Sequence, residues 1–510
     1  MQKDISLTRR SILTWLTALA LLVLVVPRAS STAAAQPETL AGAVPGAVTH
    51  AQLVGTRPTT DPITLAISLS LRDRAGLLAF IQALNDPTSP YYHHPLSQAE
   101  ANQLFNPSST DEQQVESWLQ SHGLTITQTY PNHLMVDAQG TVGQVEAMLG
   151  VTINRYQITT GGKTQVFYAP DRDPTLDATV RTIVQAITGL DTYPRFHTSV
   201  STDTNGTAHG TPAYLPQDFA NAYDVNPLWN AGYTGAGQSI GITLWETPPA
   251  DVVLQKMASN TGANIATQAN GRLHVIPVDG GTNAASSPDQ GEAGLDIEYS
   301  SGLAPGATIN YYEAPTDSLG TPTDQGLLDA LNLAGTQGNR QITNSWGGCE
   351  ASSASDPWTK SAESIFAANA ATGHTYFFAS GDNGSWCDPN NTGTGIDPYP
   401  DYPASSPNVT AVGGTRFTRP VTPTYYPGEE YAWTYCASCG PEGSGGGYSN
   451  IFTRPSWQTG TGLSPTNTHR GYPDIAANAD PHTGAYVCYG SSSSCAQFGG
   501  TSLSSPLWAG

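Results

Sequence analysis

The 510-residue chain sets 41 acidic against 20 basic side chains, a formal net charge of −21, and only 12% of it is charged at all. That balance argues against nucleic acid and anionic membrane as partners. It suits either a protein working in acid, where protonated carboxylates no longer repel one another, or an ordinary acidic secreted protein. The 10 Trp, 23 Tyr and 11 Phe exclude a disordered chain, and the length implies two or three domains.

Residues 1–35 read as a signal peptide. Arg9 and Arg10 precede an uncharged run over 12–26, and small residues end at Ala33-Ala34-Ala35. The run is short for a membrane span, an uncleaved anchor being the other reading. Residues 8–13 resemble a twin-arginine signal without fixing the export route. No second long apolar run follows, so the expectation is an exported, extracellular protein, free of the membrane once the signal is removed.

Residues 36–191 read as a small α+β domain. To about residue 60 the chain is rich in Ala, Pro, Thr and Gly and should be extended; from 63 to 190 strand-like and helix-like segments alternate. A helix is predicted over 112–121, with Ser109 and Glu112 as its capping box, Val115, Trp118 and Leu119 on one face, and Gly123 ending it. A second should start at Thr141, with Gln144 three residues on and Val145, Met148 and Leu149 as its apolar face. Leu134, Met135 and Val136 form a strand between them. The segment shows no nucleophile, metal cluster or phosphate-binding loop. Residues 192–212, rich in Thr, Ser, Asn, Gly and His, read as an exposed linker open to proteolytic processing.

From 213 to 510 the texture changes. Apolar, β-branched strands are predicted at 239–245, 274–278, 308–312, 342–346 and 375–379, with helical periodicity at 325–334 and 361–371. That alternation implies a parallel sheet flanked by helices. All six cysteines lie in this part: Cys349, Cys387, Cys436, Cys439, Cys488 and Cys495. In an exported chain they read as disulfides whose pairing stays open, with Cys436–Cys439, Cys488–Cys495 and Cys349–Cys387 all plausible. A zinc site at Cys436-x-x-Cys439 is the rival, but His469 and His482 supply no recognisable second pair of ligands.

The chemistry concentrates near the end. Gly499-Gly500-Thr501-Ser502, followed by Pro506, is a glycine-rich turn opening a helix, the G-T-S-x-x-x-P string of subtilisin-like serine peptidases. It would expose the Ser502 hydroxyl where backbone N–H groups steady negative charge. A serine nucleophile needs a base. His209 lies in the linker rather than opening a helix inside the sheet, and Trp245-Glu246-Thr247 stands where a subtilisin has Asp-Thr-Gly, so a neutral subtilisin built on His209 is disfavoured. Glu292 and Asp296, four apart on a predicted helix, project from one face. An isolated pair so spaced would be a solvated acidic face. Beside a serine motif it is a candidate base, because a carboxylate of pKa roughly 4.3 still accepts a proton in acid where a histidine of about 6.5 does not. Asp382, in Ser380-Gly381-Asp382-Asn383-Gly384 after an apolar strand, is either a turn residue or, if protonated, a hydrogen-bond donor to an oxyanion.

Taken in the order Glu, Asp, Asp, Ser, these positions resemble the sedolisin (serine-carboxyl peptidase) family, with its kumamolisin-like members. The likeness includes Asp86-Pro87-x-Ser89-Pro90-x-Tyr92, Trp118-Leu119-x-x-x-Gly123-Leu124 and Gly189-Leu190 in the first part. In the second it includes the run from Gly232 to Gln238, Asn344-Ser345-Trp346-Gly347, the run from Tyr402 to Pro407, and Val412-Gly413-Gly414-Thr415. The resemblance implies an α/β, subtilisin-like peptidase domain over 213–510, C-terminally truncated and preceded by a ferredoxin-like activation prodomain that blocks the site. It implies Ser502, Glu292 and Asp296 as a triad, Asp382 at the oxyanion, and Ser345, Trp346 and Gly347 lining the substrate cleft. Its calcium site, formed in the family by residues after the nucleophile, can be assigned to no residue of this chain, and no other metal or cofactor is expected. Protein and peptide substrates, the chain's own prodomain as inhibitor, and a monomeric state complete the expectation. The alternative is an inert relative serving as a binding or structural module, and a chain stopping eight residues after Ser502 is expected to be poorly stable or weakly active.

Overall fold

The computed structural model describes residues 38–160, 162–202, 213–282, 290–317, 320–350, 354–385, 400–418, 430–434, 442–460, 462–490 and 494–510. Residues 1–35, 203–212 with His209, and Cys387, Cys436 and Cys439 lie outside them. In the first part the elements are β1 (Gln52–Thr56), β2 (Pro62–Leu69), α1 (Arg74–Asn85), α2 (Ser109–Ser121), β3 (Thr125–Thr129), β4 (Met135–Thr141), α3 (Val142–Leu149), β5 (Ile153–Thr160), β6 (Lys163–Pro170) and β7 (Val184–Thr188).

Strand β2 shows how period-two patterning divides this part between two partners. Ile63, Leu65, Ile67 and Leu69 enter a core with Val115, Leu119, Val136, Val142 and Leu149 from α2, β4 and α3. On the opposite face Ala66 joins the core of the second part, and Ser68 Oγ donates to Ser361 Oγ at 2.6 Å. The antiparallel sheet runs β3-β4-β2-β7, the order 2-3-1-4 of a ferredoxin-like β-α-β-β-α-β unit. β1, β5 and β6 form a second small sheet. Helix α2 begins one residue before the expected box: Ser108 is its N-cap, and Ser108 and Asp111 close the reciprocal bonds in place of Ser109 and Glu112. Thr141 and Gln144 cap α3 as predicted, and Gly150 ends it in the left-handed region at φ 65°.

Two short strands follow, β8 (His197–Thr198) and β9 (Ser201–Thr202). The second part comprises β10 (Ser239–Leu244), α4 (Asp251–Thr261), β11 (Leu273–Pro277), α5 (Gly291–Leu303), β12 (Thr308–Glu313), α6 (Asp324–Thr336), β13 (Gln341–Asn344), β14 (Trp346–Cys349), α7 (Pro357–Ala371), β15 (Thr375–Ala379), β16 (Thr410–Phe417), β17 (Glu430–Ala432), β18 (Ile475–Asn478), β19 (Ala485–Tyr489), β20 (Ser494–Gly499) and α8 (Thr501–Ala509). The large sheet runs β11-β12-β10-β13-β15-β16-β17, with β18 also beside β16; every pairing is parallel except that of β17. Its first strand sits in the middle. The chain jumps to the edge at β11, returns to fill the gap with β12, then crosses to the other side through β13. Helices α4, α5 and α8 cover one face and α6 and α7 the other, and the reversal of strand order beside β10 opens a crevice beyond the carboxyl ends of β10 and β13.

Helices α6 and α7 pack together on one face and also meet the first part, α7 against β7 and α1. Helix α5 packs against α8 and is buried along its whole length, with every residue from Gly291 to Leu303 out of solvent. Cys488 and Cys495 form a disulfide between β19 and β20. Cys349 is disulfide-bonded as well.

Candidate active site

The crevice collects four carboxyl side chains around one serine. Ser502 is the second residue of α8, after Gly500, whose φ of 95° lets β20 turn directly into the helix. Ser502 Oγ donates to Glu292 Oε2 at 2.9 Å and lies 3.3 Å from the Ser345 carbonyl. Glu292 opens α5, and one turn on Asp296 Oδ1 accepts from Ser345 Oγ at 2.6 Å. All four of these side chains are fully buried.

Pro506 has a local reason to stand four residues after the serine. Lacking an N–H, it leaves the Ser502 carbonyl without its helical partner, and Ser345 Oγ sits 3.2 Å from that carbonyl instead. One hydroxyl proton serves only one acceptor at a time. When Asp296 is protonated it donates to Ser345 Oγ, which is then free to donate to the Ser502 carbonyl, so both contacts are satisfied.

Burial pushes Glu292 and Asp296 well above the ordinary carboxylate range. For Glu292 the negative charges of Asp296 and Glu246 add to it while the Ser502 hydroxyl opposes it; for Asp296 the Ser345 hydroxyl opposes it and Glu246 adds. Glu292 Oε1 and Asp296 Oδ2 have no hydrogen-bond partner among the described residues, as expected of carboxyls that share protons as a group. Glu246 is a site residue that the sequence reading misses. By motif, its position after β10 only lacks a subtilisin's aspartate, although a carboxylate at the carboxyl end of the middle strand is itself the signal. It accepts from the Ala293 N–H at 3.1 Å.

Asp382 follows β15. Its Oδ1 accepts from Thr501 N at 2.7 Å and Thr501 Oγ1 at 2.9 Å, and its Oδ2 accepts from Ser201 Oγ at 3.1 Å. Burial pushes its pKa up to about 7 against those hydrogen bonds, so in acid it carries a proton. A Cβ on Gly500 would collide with both Asp382 Oδ2 and the carbonyl oxygen of Ser199.

The residues expected to line the cleft divide by atom. The Ser345 and Gly347 backbones face it, while the Trp346 indole is sunk in the core with its N–H donating to the Thr243 carbonyl at 2.8 Å. The cleft is filled by the chain itself. β8 pairs antiparallel with β14, and β9 with β20. The expectation of an exposed linker therefore fails at Ser199 and Ser201, which are buried, while His197 stays exposed; polar composition conceals two ladders to partners far along the chain. Among the described residues no group of three or more His, Cys, Asp or Glu could hold a metal ion, and no helix is long and apolar enough to cross a membrane.

Comparisons with known proteins follow the same division. Residues 49–193 match the family "Pro-kumamolisin, activation domain", and residues 261–510 match the Subtilase family. The chain is 31% identical over 467 residues to sedolisin of Pseudomonas sp. (strain 101), spanning 88% of this chain and 75% of that one. Kumamolisin of Bacillus sp. (strain MN-32) is 30% identical over 488 residues, 90% of this chain and 81% of the relative. Tripeptidyl-peptidase 1 of Canis lupus familiaris is 27% identical over 473 residues, 88% and 78% respectively.

Proposed function

The chain belongs to the sedolisin family of serine-carboxyl peptidases, and from that premise we propose that it is a secreted, acid-acting serine endopeptidase made as a self-processing zymogen. Residues 1–35 direct export, 36–191 are the activation prodomain, 192–212 the segment that is cut, and 213–510 the peptidase. Protein and peptide chains are its substrates.

The observation that carries this reading is the buried 2.9 Å hydrogen bond from Ser502 Oγ to Glu292 Oε2. Glu292 accepts the Ser502 proton as the hydroxyl attacks a peptide carbonyl, then returns it to the leaving amine. Asp296 holds Glu292 in place and keeps a proton in the cluster. Asp382, protonated in acid, donates to the oxyanion alongside the Ser502 N–H. Each of these steps runs on the chain's own groups.

The test is hydrolysis of denatured haemoglobin or casein from about pH 2 to 9, after acid activation, by the wild type and Ser502→Ala. A maximum on the acid side of neutrality that vanishes in Ser502→Ala is expected from a carboxylate base. A maximum near pH 8 abolished by His209→Ala would replace this reading with a neutral subtilisin. Absence of hydrolysis at every pH would leave the inert module.

A further inference from the structure

Residues 195–202 thread the crevice in the manner of a peptide bound for cleavage, adding a strand to each wall. On the upstream side, His197 pairs with Gly347 and Thr198 with Trp346, and the Ser199 N–H donates to the Ser345 carbonyl at 3.1 Å. On the downstream side, Ser201 pairs with Gly499 and Thr202 with Phe498. The ladders end at Thr198 and begin again at Ser201, and of the three peptide bonds between them Ser199–Val200 is the one whose carbonyl meets the Ser502 N–H. The Ser199 carbonyl oxygen accepts from the Ser502 N–H at 3.3 Å, and it shares the space above Gly500 with Asp382 Oδ2.

Upstream anchors fix this register. The Phe196 ring lies 5.4 Å from that of Trp346 and 4.6 Å from that of Trp358. The Arg195 guanidinium bonds Asp191 at 2.9 and 3.0 Å and also Asp324 at the start of α6. A slip by one residue would pull Phe196 from its aromatic seat and turn every side chain to the other face.

We propose that the first self-cleavage breaks the Ser199–Val200 bond, an inference that rests on Ser502 being the nucleophile. Ser502 Oγ bonds to the Ser199 carbonyl carbon, and its proton passes to Glu292 Oε2. The carbonyl π pair moves to oxygen, where the Ser502 N–H and the Asp382 proton receive it. Collapse breaks the C–N bond, and the Val200 nitrogen leaves with the proton from Glu292. Water then hydrolyses the ester, giving a carboxylate on Ser199 and restoring the Ser502 hydroxyl. The peptidase begins at Val200, whose side chain already packs against its core.

The experiment is a brief shift of the purified full chain to about pH 4, with intact mass and N-terminal sequencing at the earliest times. The expected first product begins at Val200 and is absent from Ser502→Ala. Val200→Pro, which places a ring carbon on the leaving nitrogen, should abolish that cut. Phe196→Ala should slow it about tenfold or more by loosening the register, while enzyme recovered after maturation hydrolyses casein at the wild-type rate, because residue 196 is no longer part of it. A Ser502-dependent first cut at any other bond overturns the assignment and leaves the peptidase reading standing. A chain that neither cuts itself nor hydrolyses casein overturns both.

Discussion

At the scale of single residues, the proposed chemistry depends on which buried carboxyl holds a proton. Asp382 makes the clearest case, because the oxyanion role needs its proton and its pKa is pushed up to about 7. Asp382→Ala should lower kcat by about 10²–10³, as removal of an oxyanion donor does. Asp382→Asn keeps an N–H donor at every pH, so it should lose less and decline less steeply above pH ~7. Equal losses in the two variants, read from pH–rate profiles on a peptide substrate, would sink the donor role. Ser345 shows how a residue named for the cleft wall acts with two groups at once: its carbonyl receives the Ser199 N–H while its hydroxyl bridges Asp296 and the Ser502 carbonyl.

At the scale of elements, the sequence conveys local periodicity and withholds long-range pairing. Strands β10, β12, β13 and β15 stand within a residue or two of their predicted spans because apolar and β-branched residues run through strands covered on both faces. The start of α2 shifts by one residue because Ser108 and Ser109 are both competent caps with an acid three residues on, and while Asp111 closes the box with Ser108, Glu112 is engaged by His133 at 2.8 Å. Strands β8 and β9 are illegible: their residues are polar, and what holds them is backbone pairing to β14 and β20. The meeting of Ser502 with Glu292 is legible through residue types and motif order, whereas Glu246 is not, since no motif marks it. Helix packing carries its own prediction. A Cβ on Gly335 of α6 would drive into Asn369 Nδ2 and the Tyr376 hydroxyl, which bond each other at 2.8 Å. Gly335→Ala should cost about 1–3 kcal/mol of overpacking, exceeding the ~1 kcal/mol that alanine gains in a helix. A urea melt of an uncut chain showing no loss would remove this close approach as a constraint.

At the scale of the whole molecule, the fold is a store of buried acids. Asp137 of the prodomain accepts from the Tyr130 hydroxyl at 2.7 Å and meets Asp329 of α6 and the charge of Asp279; burial pushes its pKa up to about 8. Burial also raises Glu298, Asp329 and Asp401, along with Glu292 and Asp296. A carboxyl whose folded pKa lies above its unfolded value binds its proton more tightly when folded. Its stabilising contribution is complete below about pH 4 and is lost as pH rises through the folded value. Calorimetry of the uncut Ser502→Ala chain should therefore give a higher Tm near pH 4 than near pH 8. Asp137→Asn, which cannot ionise, should remove part of that difference. A Tm that rises from pH 4 to 8 would reverse the assignment.

The strand that fills the crevice also sets a timetable. While it is covalently attached, the segment around Ser199 is presented to the nucleophile at an effective concentration of order millimolar, which outside substrate rarely matches. Scission turns that tethered occupant into a separate molecule, and its hold then depends on how many copies surround it. The appearance of the Val200 terminus should follow first-order kinetics at any protein concentration. Catalysis of added casein should lag behind it in concentrated samples, and the lag should shrink on dilution as the severed prodomain drifts away. If the first cut falls at Ser199–Val200, residues 195–202 act as latch and first substrate and 195–199 as first competitor, and the passage from one role to the next is governed by tethering and dilution.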